Sequence, residues 1–209
     1  MNAFTIRAAR PADQGAMYYV CLKTGNHGKD GESFYHDDPD ALGRIYVGPY
    51  LVFELELSLA LEDDQGVCGY CLGALDSRTF YDRYEREWRP SLCAQFPMPT
   101  GDPATWTCAQ AVHACYHNPD YFCPEPYGAY SSHMHIDLLE RVRGQGYGRR
   151  MMEQVMAKLR QLGSPGVHLG LSVRNTPALG FYQRLGFHKL AQTGTPTEGC
   201  IYLGKILRS

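Results

Sequence analysis

The chain has 209 residues, 44% hydrophobic and 20% charged, with a formal net charge of -2. That is enough for one medium domain with a sizeable core, and the composition is ordinary for a globular chain. It carries no Lys/Arg block of the kind that marks a nucleic-acid footprint and no apolar run long enough to span a membrane.

The opening MNAFTIRAARPAD lacks the apolar core of a signal peptide, so the expected location is the cytoplasm. The sequence holds 8 cysteines, and without a secretion signal a disulfide framework is not expected. Residues 3–9 (AFTIRAA) alternate as a strand. Pro11 opens a helix to about Leu22, with Met17, Val20 and Cys21 on its apolar side. Residues 24–37 read as a loop. Asp38-Pro39 reads as the start of a short helix that ends near Gly48-Pro49.

LELSLALE (55–62), a DDQG turn and VCGYCLGALD (67–76) read as a β-hairpin. Cys68 and Cys71 form a C-x-x-C within that second strand. An offset of three puts them on opposite faces, which argues against a redox or metal pair. FYDRYEREWRPSLCAQF is helical in composition and stops before Pro97. Residues 97–128 are dense in Pro, Tyr and Cys, and only DPATWTCAQAVHAC looks helical. This stretch reads as an insertion or lid within a single domain spanning 1–209, because it is too short to bury a core of its own.

A strand at about 131–138 follows, then a Gly-rich turn and a helix over about 146–162. Met152, Val155, Met156, Leu159 and Leu162 make one buried stripe along that helix. Gly163 stops it, with Pro165 just beyond. VHLGLSVR is a strand, NTPALGFYQRLG a short helix, and FHKLAQ and CIYLGKIL closing strands.

Two chemistries lie side by side in SHMHIDLLERVRGQGYGRR (132–150). His133, His135 and Asp137 share one face of their strand, and Met134, Ile136 and Leu138 the other. Arg143, Gly146 and Gly148 then form R-x-x-G-x-G ahead of a helix. A helix N-terminus offers unpaired backbone N–H groups at its positive dipole end, and glycines let a ligand approach, so the arrangement suits a phosphate or pyrophosphate. An ordinary tight turn into a helix would look the same. The spacing is neither a Walker loop nor G-x-G-x-x-G, and no acidic ribose-binding residue follows about 20 residues on.

About thirty residues further comes NTPALGFYQRLGF (175–187). Together the two segments resemble the GNAT superfamily of acyl-CoA-dependent N-acyltransferases. The resemblance implies an α/β fold with a mixed, mostly antiparallel central sheet, flanked by helices and splayed at the acyl-CoA site. It implies that Gly144, Gln145, Gly146, Tyr147, Gly148 and Arg149 cradle the coenzyme A pyrophosphate by backbone amides. Arg143 would anchor the loop, Arg149 or Arg150 would reach phosphates, and Ile136 and Leu138 would meet pantetheine by backbone. Asn175 would touch the pantetheine arm and Tyr182 the thiol. LEDDQGVCGYCLGALD and the F…W-x-P run after it are also similar to the acetyltransferase-like C-terminal domain of animal O-GlcNAcase and its stand-alone bacterial relatives. The animal domain has lost the glycine loop; this chain keeps it.

Acetyl transfer from acetyl-CoA to a primary amine, either a protein lysine or a small amine, is the implied reaction. An ordinary lysine-like amine has a pKa of about 10.4, so roughly one in 2,500 is neutral at pH 7 and a base is useful. Asp137 is the first candidate by position, with His135 and then His133 behind it; imidazole titrates near about 6.5. Tyr182 is the candidate acid for the leaving thiol. Asp76, Trp88, Tyr130 and His133, with Tyr81, Glu85, Phe122 and Tyr127, would line an aromatic and acidic cleft suited to a cationic acceptor.

Two other readings stay open. One is a catalytically silent module that binds acyl-CoA or a protein. The other is a metal-dependent hydrolase, since H-x-H-x-D is part of the H-x-H-x-D-H zinc motif, although Leu138 stands where the last His is needed. Cys108, His113, Cys115, His117 and Cys123 match no finger spacing, and no metal is expected. The partners are therefore acetyl-CoA and an amine, with neither nucleic acid nor membrane, and the resemblance leaves a homodimer open.

Overall fold

In the computed structural model of the protein, residues 4–121 and 127–207 are described. β1 (Thr5–Ala8) leads through a 3-10 turn at Pro11 into α1 (Gln14–Thr24). Met17, Val20 and Cys21 of α1 are buried, as their spacing predicts.

Asp38-Pro39 does not start a helix. The Asp38 carboxylate instead receives Arg44 Nη1 at 2.7 Å and faces His113 Nε2 at 2.7 Å. Regular helix begins later, as α2 (Gly43–Tyr46), and Gly48-Pro49 opens α3 (Gly48–Phe53) rather than closing its predecessor. Proline in a first helical turn surrenders an N–H that has no partner there anyway, so it serves as a start.

β2 (Ser58–Asp63) and β3 (Gly66–Ala74) form the predicted hairpin, with Gly66 at φ +109 in its turn. Leu55–Leu57, read as strand, is a 3-10 turn. The next helix starts earlier than predicted, because Asp76 caps it: its Oδ1 accepts from Thr79 N at 2.8 Å. It runs as α4 (Ser77–Arg83), a π-helical segment (Tyr84–Trp88) and α5 (Arg89–Gln95). Pro90 accounts for the wide turn, since it has no N–H for the carbonyl four residues back and its ring crowds that carbonyl. In α6 (Cys108–His117), Thr107 and Gln110 form a reciprocal cap. Tyr116 ties α6 to the core, fully buried and donating to Ala41 O at 2.7 Å.

The rest follows in order: β4 (Ser132–Leu138), α7 (Tyr147–Gln161), β5 (Gly166–Ser172), α8 (Thr176–Arg184), β6 (His188–Gly194) and β7 (Gly199–Ile206). Met152, Val155, Met156 and Leu159 of α7 are buried, and so is Met151. Leu162, placed in that stripe by sequence, is 46% exposed. It is the C-cap, just past the last helical turn and before Gly163 at φ +93, so it has left the helical face.

The seven strands form one sheet in the order β1-β2-β3-β4-β5-β7-β6. Every neighbouring pair is antiparallel except β4 and β5, which α7 connects. The fold is thus α/β, with a mixed, mostly antiparallel open sheet flanked by helices. β4 pairs with β5 only at Ser132↔Val167 and His133↔His168, whereas its pairing with β3 continues to Gly69↔Leu138. From residue 134 onward the sheet is split, and one backbone edge of β4 faces a gap.

Candidate active site

At the outer end of the gap stands the glycine loop. Gly144 and Gly146 sit at φ +78 and +82, a left-handed conformation that favours glycine, and Gly146 is the N-cap of α7. A Cβ built on either would meet no atom within 4 Å, so open space lies before the loop. The first-turn amides of α7 have no helical acceptors, which suits an anionic group there. Gly148 has a different constraint: a Cβ would stand 3.0 Å from Leu138 Cδ1, so its smallness sets how closely α7 packs on β4.

Arg143 fastens the loop to two neighbours. Its Nε donates to Leu138 O at 3.1 Å and its Nη2 to Gly28 O at 2.7 Å. The Leu138 carbonyl is therefore already engaged. Asn175 caps α8 through Ala178 N at 3.3 Å and lies so close to Gly28 that a Cβ there would come within 2.7 Å of Asn175 Nδ2. Arg149 lines the cavity and pairs with Glu153. Gln145 bonds back to Arg141 O at 2.8 Å, and the Tyr147 ring packs 5.1 Å from Phe4.

The gap opens into a cavity of about 940 Å³ that reaches from Gly144 and Gly146 to His133, His135, Asp137 and Tyr182. Asp137 lies opposite Tyr70 across the β3–β4 pair, and Tyr70 Oη donates to Asp137 Oδ2 at 2.6 Å. Tyr70 is fully buried, and burial pushes its pKa well above the ordinary tyrosine value, so it keeps its proton and must be the donor. Tyr182 is likewise buried and its pKa raised by desolvation. His135 stacks on Tyr46 at 5.4 Å between centroids. Its Nε2 is 3.1 Å from Asp137 Oδ2, yet the alignment is not that of a hydrogen bond and the nitrogen stays unpaired.

His133 is 4% exposed. Its Nδ1 lies 2.8 Å from Ser77 Oγ, and that hydroxyl already donates to Ser131 O at 2.8 Å. One hydroxyl has one proton, so with that proton directed at Ser131 O the hydrogen joining Ser77 to the ring is assigned to Nδ1. Nε2 is then a bare acceptor, buried and without a hydrogen-bond partner among the described residues. Burial first, and then the neighbouring His168 and His135, hold the His133 pKa well below 6.5. The folded protein refuses a proton that the unfolded chain accepts, so stability should fall as pH drops below the unfolded value. One such group contributes at most about 1.4 kcal/mol per pH unit. Denaturation midpoints between pH 7.5 and 5.5 should fall less steeply in His133→Asn than in the parent; equal slopes would contradict the assignment.

Of the described residues expected to hold the acceptor, His133 and Tyr81 line the cavity and Asp76, Glu85, Trp88 and Tyr130 do not. Asp76 is the cap of α4. Trp88 turns inward, its Nε1 donating to Arg44 O at 2.8 Å. Tyr130 pairs with His188 Nε2 at 2.9 Å, and Glu85 holds Arg89 and Tyr121. Phe122, Cys123 and the Tyr127 side chain lie outside the described residues. Among the described residues no three His, Cys, Asp or Glu side chains converge as a metal-ligand set. His113 faces Asp38, and His117 faces Phe96 O at 2.8 Å. Sequence reasoning missed Tyr46, Tyr50, Tyr70 and Ser77. Tyr70 could have been found only by extending the hairpin register into β4.

Comparisons with known proteins agree with this geometry. Residues 32–187 match the model of the acetyltransferase (GNAT) family, and the chain belongs to that family. It is 27% identical over 208 residues to protein O-GlcNAcase of Mus musculus and equally to that of Rattus norvegicus. The match covers 99% of this chain but only 22% of those relatives' length. Among solved structures, SsHAT superposes with a TM-score of 0.88 at 34% identity, covering 99% of this chain and all of that one. A putative acetyltransferase of Salmonella typhimurium, solved with its cofactor acetyl-CoA, shares the fold, with a TM-score of 0.55 at 16% identity over 99% of this chain and 95% of that one.

Proposed function

We propose that the protein transfers an acetyl group from acetyl-CoA to a primary amine, of a protein lysine or of a small molecule. The observation that carries the reading is the split between β4 and β5, with an open glycine loop at one end and a carboxylate inside. The first-turn amides of α7 and Arg149 would hold the pyrophosphate, and the free edge of β4 beyond His133 and Asn175 would hold the pantetheine arm. When bound, acetyl-CoA supplies an acetyl group activated as a thioester.

The chain's own groups do the rest. Asp137 takes the proton from the entering ammonium, directly or through one water, and the proton rests on its carboxylate. Tyr70 locks one carboxylate oxygen and leaves the other for the amine. As the amine nitrogen bonds to the acetyl carbon and the carbon–sulfur bond breaks, Tyr182, still protonated because it is buried, gives its O–H proton to the departing sulfur. It is restored by the second N–H proton the amine sheds as the amide forms. The hydrophobic rings of Tyr46, Tyr50 and Tyr81 restrict water around the row of polar side chains.

The test is thiol release from acetyl-CoA with a panel of primary amines. Tyr182→Phe should lower kcat by about a hundredfold while leaving the affinity for acetyl-CoA nearly unchanged. An unchanged kcat would remove Tyr182 from the chemistry. No release with any amine, despite tight acetyl-CoA binding, would favour a silent acyl-CoA-binding module.

A further inference from the structure

Two imidazole nitrogens, His133 Nε2 and His135 Nε2, are buried in the acceptor half of the cavity without a hydrogen bond among the described residues, and of the two only His135 Nε2 faces a carboxylate, Asp137 Oδ2 at 3.1 Å. A buried acceptor left unpaired is unfavourable, so its presence marks a place where something else completes the bond. For His133 the missing group can be specified. Ser77 fixes the proton on Nδ1, so Nε2 can only accept. The ring is itself held in place, stacked on Tyr81 at 5.1 Å and 4° and met edge-on by Phe80 and Tyr50.

The charge of the missing group can be specified too. The charged or titratable groups acting on His133 are His168 from β5 and His135 from its own strand, not a carboxylate. The rings facing it from α3 and α4 are Tyr50, Phe80 and Tyr81. Asp120 lines the cavity as well, but it is not among the groups acting on His133, so a second ammonium would find no countercharge at the His133 ring itself, whereas a hydroxyl would find a good acceptor. Position follows from the strand: residues two apart are separated by about 6.6 Å. His135 Nε2 lies 3.1 Å from Asp137 Oδ2, so an amine can meet Asp137 while seated beside His135, and from His135 the next side chain on that face, His133, is about 7 Å further along β4.

We propose that the acceptor is an amino alcohol or amino sugar whose hydroxyl, about 7 Å from the acetylated amine, donates to the bare Nε2 of His133. The inference rests on the acetyltransferase reading above and deepens it. His133 is on this view a specificity determinant: it rejects amines that leave its nitrogen unpaired, by the same logic that makes any site built for a hydroxyl discriminate against the analogue lacking one.

Three amines of matched length test it: pentylamine, 5-aminopentan-1-ol and 1,5-diaminopentane. Their dissociation constants are measured by calorimetry on the full chain saturated with coenzyme A, and their kcat/KM with acetyl-CoA by thiol release. The amino alcohol should bind at least about tenfold more tightly than the other two. That ratio should collapse towards one in His133→Asn, which keeps the bond to Ser77 and lacks Nε2. It should shrink in Ser77→Ala, which frees the proton to move to Nε2; this second variant serves if the first does not fold. Equal affinities for all three amines in the parent, with turnover, would overturn the inference and leave the acetyltransferase reading standing. A ratio that survives both variants would overturn it as well. A binding preference lost in the variants but accompanied by no thiol release would support the recognition and sink the catalytic reading.

Discussion

Gly146→Val is expected to reduce acetyl-CoA affinity by about a hundredfold or more. Gly146 stands at φ +82, where a residue with a Cβ is unfavourable by roughly 1–2 kcal/mol and a β-branched one by more. The added side chain would also enter the open space before the first turn of α7. That is where a phosphate has to come within hydrogen-bond distance of backbone amides. The loss should be in binding, read by calorimetry, with a fall of only a few degrees in Tm. Gly148→Val would act differently, through collision with Leu138, and should lower stability as well as affinity. Unchanged acetyl-CoA affinity in Gly146→Val would remove the loop from the site.

The second large effect is expected at Asp137. Replacing it with Asn keeps the size and leaves an oxygen for Tyr70 Oη, so the fold should hold. The variant has no carboxylate to take the ammonium proton, and kcat should fall by about 10²–10⁴-fold. The loss should lessen as pH rises towards the amine's own pKa, because more of the acceptor arrives neutral. A loss constant from pH 7 to 9.5 would mean that Asp137 positions the acceptor without moving its proton. Tyr70→Phe should give a smaller loss of the same kind, since it removes one hydrogen bond that orients the carboxylate.

What was legible in the sequence was what local periodicity and turn chemistry encode. The alternation of β4 put His133, His135 and Asp137 on one face. Gly146 and Gly148 of R-x-x-G-x-G marked a loop that a ligand can approach ahead of α7, and the 3.6-residue stripe of α7 was read correctly up to its cap; the left-handed backbone at Gly144 and Gly146 came from the structure. What was not legible depends on partners far away in the chain. The Tyr70–Asp137 bond joins residues 67 apart, and nothing local to either strand reveals it. Asp76 and Trp88 looked available to a ligand because their residue types suit a cationic acceptor, yet one satisfies the first turn of α4 and the other a carbonyl of α2. Asp38-Pro39 has the composition of a helix start, and the ion pair with Arg44 and contact with His113 override it. The tautomer of His133 is the furthest from sequence, since it follows from a proton count over Ser77 and Ser131.

The central claim is that the split between β4 and β5, read with the glycine loop, is an acyl-CoA site. Calorimetric titration of the purified chain with acetyl-CoA tests it most directly. The account predicts saturable binding of one molecule per chain, with a Kd on the order of micromolar. An absence of binding at millimolar acetyl-CoA, in protein shown to be folded, would contradict it.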